Sequence, residues 1–132
     1  MSTYTAEQAE IKAVIDRLIA TATNYDVETL DDIYHDDLEI FMLGTRSELQ
    51  TASKETFTSL FAQKRKAGDP PMNTWAEFHH IDAKEDSAHV VLSRKNDLSG
   101  EPMKLHLSID LRKTSGKWQV TREVIFLFTE TN

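Results

Sequence analysis

The sequence predicts an α+β fold, with helices gathered in its first half and antiparallel strands in its second. Three observations carry that expectation. Thr5 to about Asn24 repeats its apolar residues at helical spacing, and Met103 to Phe128 repeats them at every second position. Thr114-Ser115-Gly116-Lys117 then folds that second stretch back on itself as a tight turn, with Gly116 free to take a positive φ. Helices and strands segregated in this order pack as helices on one face of a curved sheet.

In the first helix, Ile11, Val14, Ile15, Leu18, Ile19 and Ala22 make one apolar stripe. Thr5 is its expected N-cap, and Glu7 and Glu10 lie near the positive end of the helix dipole. Asn24-Tyr25-Asp26 breaks the pattern, and Asp26 caps a short second helix, Val27 to Tyr34, that buries Leu30, Ile33 and Tyr34. His35-Asp36-Asp37 ends it. Leu38 to Leu43 reads as a strand closed by Gly44, and Thr45 to Ala52, polar and without period, as a loop. A third helix from about Ser53 to Ala67 buries Phe57, Leu60 and Phe61 and stops at Gly68-Asp69-Pro70-Pro71. Asn73 to Ala83 and Ser87 to Arg94 read as strands, and Asn96 to Glu101 turns into the final hairpin.

The first strand of that hairpin points Met103, Leu105, Leu107, Ile109 and Leu111 inward. In its partner, Trp118, Val120, Arg122, Val124, Phe126 and Phe128 share the parity expected to face the core. Gln119, Thr121, Glu123, Ile125 and Leu127 take the other, outer parity. On that outer face, beside His106 and Ser108, Ile125 and Leu127 make an apolar patch of the kind that marks an interface.

With 132 residues the chain is expected to form one domain, 1–132, around a single core. No apolar run approaches the roughly 20 residues of a membrane helix, and no basic segment followed by an apolar one suggests a signal peptide. The absence of cysteine rules out disulfide and thiolate chemistry and points to the cytoplasm. A formal charge of −7 argues against nucleic acid, and Lys64-Arg65-Lys66 is the solvated end of the third helix. The four glycines are too scattered for a phosphate-binding loop, and the five histidines show no metal-ligand spacing. No metal or cofactor is expected.

Asp26-Val27-Glu28-Thr29-Leu30, then Ile33-Tyr34-His35-Asp36-Asp37 and a strand, resembles the early part of the nuclear transport factor 2-like superfamily in its SnoaL-like branch. Glu85-Asp86-Ser87-Ala88-His89-Val90 and Gly116-Lys117-Trp118-Gln119-Val120 are similar to later strands of the same family, so the resemblance spans nearly the whole chain. The family includes polyketide cyclases, ketosteroid isomerases and limonene epoxide hydrolases. The resemblance implies a cone-shaped, cystatin-like fold, with three N-terminal helices packed on a strongly bent, mostly antiparallel sheet. It also implies an apolar pocket open at one end and a homodimer through the outer sheet face. Ketosteroid isomerases use an aspartate base with an oxyanion hole made by a tyrosine and a protonated aspartic acid. Motif matching puts Met42 at the base position and Leu18 at the tyrosine, and neither can move a proton or donate a hydrogen bond. Turnover of Δ5-3-ketosteroids by that mechanism is therefore not expected.

Polar residues on apolar faces are the candidates for chemistry. Arg122 stands between Val120 and Val124 on the expected core parity, where a guanidinium needs a carboxylate, a carbonyl or an anionic ligand, with Glu77 the nearest expected partner. A strand bulge, or a reach to the mouth of the cone, is the structural alternative. Of the adjacent His79 and His80 one must point inward. The parity of Trp75, Glu77, His79 and Ile81 favours His79, although it leaves Phe78 outside. Glu77 and His79 are then either an acid–base pair or a hydrogen-bonded part of the wall. Tyr25 and Tyr34 read as packing residues. The expected ligand set is Arg122, Glu77, His79, Trp75, Met42, Trp118, Val124 and Phe126. Two functions fit it. One is a pocket for a small apolar molecule with a polar or anionic group, alone or with a cofactor-independent isomerase, cyclase or hydrolase step. The other is a non-enzymatic dimeric interaction module whose pocket is vestigial.

Overall fold

The computed structural model describes residues 4–96 and 101–129. Among these, the order is α1 (Ala6–Thr23), α2 (Val27–Ile33), β1 (Tyr34–Leu43), β2 (Leu49–Ser53), α3 (Lys54–Lys66), β3 (Ala76–Ala83), β4 (Ser87–Asn96), β5 (Met103–Thr114) and β6 (Lys117–Thr129). The strands form one sheet in the order β2-β1-β6-β5-β4-β3, antiparallel throughout except where β1 runs parallel to β6. The α+β class is the observed one, with helices on the concave side of a mostly antiparallel sheet.

Local chemistry sets the element ends. Thr5 accepts from the Gln8 N–H while the Gln8 side chain bonds the Thr5 N–H, a reciprocal capping box that starts α1. Asp26 and Ser53 cap α2 and α3. Gly68, at φ +75°, ends α3: its N–H reaches the Arg65 carbonyl and the Asp69 N–H the Lys64 carbonyl, the paired bonds of a Schellman motif. Ser115 and Gly116 both take positive φ in the two-residue turn between β5 and β6, which matches the twist of the strands that it joins.

Three expectations about the elements are corrected. The stretch expected to be a loop contains β2, an almost wholly exposed edge strand with no apolar face to give a period. β1 begins at Tyr34, so the second helix is shorter than expected and Tyr34 lies in the sheet. β3 begins at Ala76, and the turn expected at Asn96 to Glu101 falls largely outside the described residues.

The core lies between the sheet and the helices. Ile11, Ile15, Leu18 and Ile19 of α1 and Phe57 and Phe61 of α3 pack over Val90, Leu92, Leu105, Ile109, Leu111 and Val120. Among the described residues no helix is long and apolar enough to cross a membrane.

Two bulges decide which side chains reach that interior. Asp110 pairs with Arg122 and Leu111 with Val120, so Thr121 is an extra residue in β6. Val120 points inward as expected, but past Thr121 the parity inverts: Glu123 and Ile125 become buried, and Arg122, Phe126 and Phe128 exposed. In β3, Phe78 pairs with Leu92 and His80 with Val91, which leaves His79 as the extra residue. That bulge lets both Phe78 and Ile81, three residues apart, turn toward the core.

Candidate functional site

Inside the cone is a cavity of about 360 Å³. Its walls are mostly apolar: Ile15, Leu18 and Ile19 from α1, Phe57, Leu60 and Phe61 from α3, and Leu92, Leu105, Leu107, Ile109, Ile125 and Leu127 from the sheet. Three polar side chains enter it from three strands, Tyr34 from β1, Arg94 from β4 and Glu123 from β6. Glu48, Gln50 and Asn96 also line it.

Glu123 is the chemically distinctive member. It is only 3 % exposed, and burial pushes its carboxyl up to about 7, partly offset by hydrogen bonding with Tyr34 and by the Arg94 guanidinium. A carboxyl poised there is ready to give or take a proton at neutral pH. Tyr34 is fully enclosed. Burial first, and the Glu123 charge second, hold its phenol well above the ordinary range, so it acts as a neutral hydroxyl. Arg94 donates from Nε to the Trp75 carbonyl at 3.0 Å and from Nη2 to the Asn73 carbonyl at 2.8 Å, which fixes its plane. Burial draws its proton affinity down against the opposing pull of Glu123. Among the described residues no group of three or more histidine, aspartate or glutamate side chains is placed to hold a metal ion.

Of the residues expected to form the pocket, Met42 lines the cavity, as does Leu18, the other position matched to an isomerase catalytic residue. Arg122 is corrected. The Thr121 bulge turns it to the outer face, where Nη2 bonds Glu39, not Glu77, at 3.2 Å and the guanidinium lies 5.6 Å from the Phe41 ring. Val124 and Phe126 follow it outward by the same inversion, and Phe126 is 38 % exposed. Glu77 and His79 share a face, but the outer one. Glu77 pairs in register with Ser93, and His79 Nε2 lies 2.7 Å from Ser93 Oγ. Neither His79 nor His80 enters the cavity, since Phe78 and Ile81 take the inward positions. Trp75 lies across the outer side beneath Lys95 and Lys104, and Trp118 bonds Glu10 of α1 through Nε1 at 2.8 Å outside the cavity wall.

Sequence reasoning missed Tyr34, Arg94 and Glu123. The outward assignment of Ile125 and Leu127 held the signal: two apolar residues beside Glu123 on a supposedly wet face mean that the face is not wet.

The outer face carries its own polar groups. Ser93, fully buried, is bonded by His79 and by His106 Nδ1, each at 2.7 Å, and the His106 ring lies 5.0 Å from Phe128. Asp110 bonds His89 Nδ1 at 2.6 Å, and His89 Nε2 lies 3.1 Å from Ser108 Oγ. His89 and Asp110 stand directly opposite one another in β4 and β5, so this second relay is cross-strand pairing on the sheet surface, remote from the cavity.

Residues 11–125 match a family model described as a SnoaL-like domain. No curated protein matches the chain. Among solved structures, the chain is similar to an NTF2-like protein of unknown function from Shewanella baltica, with 16 % identity over 98 % of this chain and 100 % of that one and a TM-score of 0.73. An NTF2-like protein from Cytophaga hutchinsonii gives 17 % identity over 94 % and 100 %, with a TM-score of 0.71. A conserved protein from Planctomyces limnophilus gives 21 % over 93 % and 97 %, with a TM-score of 0.68. At these identities the likeness is one of fold, and the fold is the bent-sheet cone already described.

Proposed function

The chain belongs to the SnoaL-like domain family, and from that premise we propose that it is a cytoplasmic pocket protein that binds a small, largely apolar molecule and moves a proton on it without a cofactor. The reaction class is an isomerase- or cyclase-type step. The observation that carries this reading is Glu123, a buried carboxyl poised near neutrality at the polar end of an apolar cavity. Glu123 serves as the acid or base, the Tyr34 hydroxyl beside it donates to developing negative charge, and Arg94 orients the polar group of the substrate. Met42 and Leu18 contribute apolar wall. An open cavity with converging polar groups favours this function over that of an interaction module, whose cone would be filled.

The test is proton exchange at carbon. Cyclic ketones and enones incubated with the protein in D2O at pH 7 should lose their α-hydrogens faster than in buffer, followed by NMR. Replacing Glu123 by Gln should slow that exchange by about 10²–10⁴-fold, the usual worth of a positioned acid or base. A protein that binds such compounds yet leaves exchange at the buffer rate has no catalytic role for Glu123. We also propose a homodimer through the outer face of the sheet, formed by the residues that the Thr121 bulge turns outward.

A further inference from the structure

The ligand's chemical class follows from how Arg94 is held, and this inference rests on the pocket reading above. The guanidinium enters an apolar cavity, and its hydrogen bonds go to the Trp75 and Asn73 carbonyls, which carry no charge. The opposite charge acting on it is Glu123, which stands on the same cavity wall and is reached through space. When Glu123 holds a proton, Arg94 is a cation in a mostly apolar cavity whose hydrogen bonds, among the described residues, reach uncharged carbonyls. We propose that the cavity takes a small apolar monocarboxylate, which seats its carboxylate against Arg94 and accepts a hydrogen bond from a protonated Glu123. Above pH 7, binding of the anion therefore brings up to one proton into the site.

Two carboxylates in one enclosed site cannot both stay ionised beside a single guanidinium, so they share a proton. A second charge on the ligand would be stranded among Ile109, Ile125 and Leu105, which restricts the class to single anions. Around Glu123, β1 supplies Tyr34 and β4 supplies Arg94. Glu48 lines the same cavity and bonds the Arg46 N–H through Oε2 at 2.9 Å. From β5, α1 and α3 the cavity receives apolar side chains. The proton is therefore assigned to Glu123, whose carboxyl already lies near 7 in the empty site.

Calorimetric titration of the whole chain with cyclohexanecarboxylate and with cyclohexanecarboxamide, in two buffers of different ionisation heat, separates the possibilities. At pH 8 the acid should bind with uptake approaching one proton, falling to none at pH 5.5, and its affinity should drop about tenfold per pH unit above 7. The amide should bind without uptake. Glu123→Gln should bind the acid with no uptake and with an affinity flat between pH 6 and 8.5. Arg94→Met should lose at least about tenfold for the acid and little for the amide. The inference is overturned if acid and amide bind alike, or if the acid binds at pH 8 without uptake. It is equally overturned if Glu123→Gln still takes up a proton, because the proton then rides on the ligand. Binding of the amide but not the acid overturns this inference and leaves the pocket reading standing. Binding of neither overturns both.

Discussion

A carboxyl that keeps its proton to about pH 7 when folded, against an ordinary value of 4.5, makes the fold less stable as pH rises between those values. Below about 4.5 both states of Glu123 are protonated and the residue is neutral in the balance. Between 4.5 and 7 the folded chain binds more protons than the unfolded one, so stability falls, and above 7 the whole penalty of roughly 3 kcal/mol is in place. Glu123→Gln removes the charge and keeps the shape. It should raise unfolding stability by about that amount at pH 8 and leave it unchanged at pH 4.5, as read from urea melts at the two pH values. A gain of equal size at both would place the effect in packing, not in the charge. Arg122 makes the contrasting case. Its pair with Glu39 is about half exposed on both sides, and such pairs contribute about 0–1 kcal/mol. Arg122→Met should leave ligand affinity unchanged and shift stability by less than about 1 kcal/mol, whereas a loss of binding in that variant would restore it to the pocket.

Thr121 matters more as a position than as a side chain. The alternation of β5 is legible without error, since no extra residue interrupts it and Met103, Leu105, Ile109 and Leu111 are all buried. The stripe of α1, the caps at Thr5 and Asp26, the stop at Gly68 and the turn at Gly116 are legible for the same reason, because each is fixed by residues within a turn or two. β6 is not. Its parity inverts at a bulge specified by cross-strand pairing, so a count along one strand carries Arg122 inward and Glu123 outward, the reverse of what the fold does. The same failure moved Glu77 and His79, and β2 escaped notice because an exposed edge strand buries too little to leave a period. The candidate site therefore kept only Met42 of its expected members. Deleting Thr121 tests the account. With the bulge gone, either Val120 and Trp118 or Glu123 and Ile125 must leave the interior. Stability should fall by more than about 3 kcal/mol, the range of large core losses. A melting temperature within a few degrees of the parent would mean that the sheet repairs its register elsewhere.

At the scale of the whole molecule, the inversion that lines the cavity also decides what the outer face offers. Trp75, Phe126 and Phe128 are 36, 38 and 46 % exposed there, with the His79–Ser93–His106 relay between them. A cluster of aromatic rings on one sheet face is the surface a second copy would cover by two-fold pairing, each patch meeting itself. We therefore expect a dimer at micromolar concentration, and Phe126→Lys should give a monomer while leaving the cavity intact, because Phe126 does not line it. Sedimentation velocity of the parent and this variant decides the matter. A monomeric parent, or a variant that dimerises as well as the parent, would show that the outer face is not the interface.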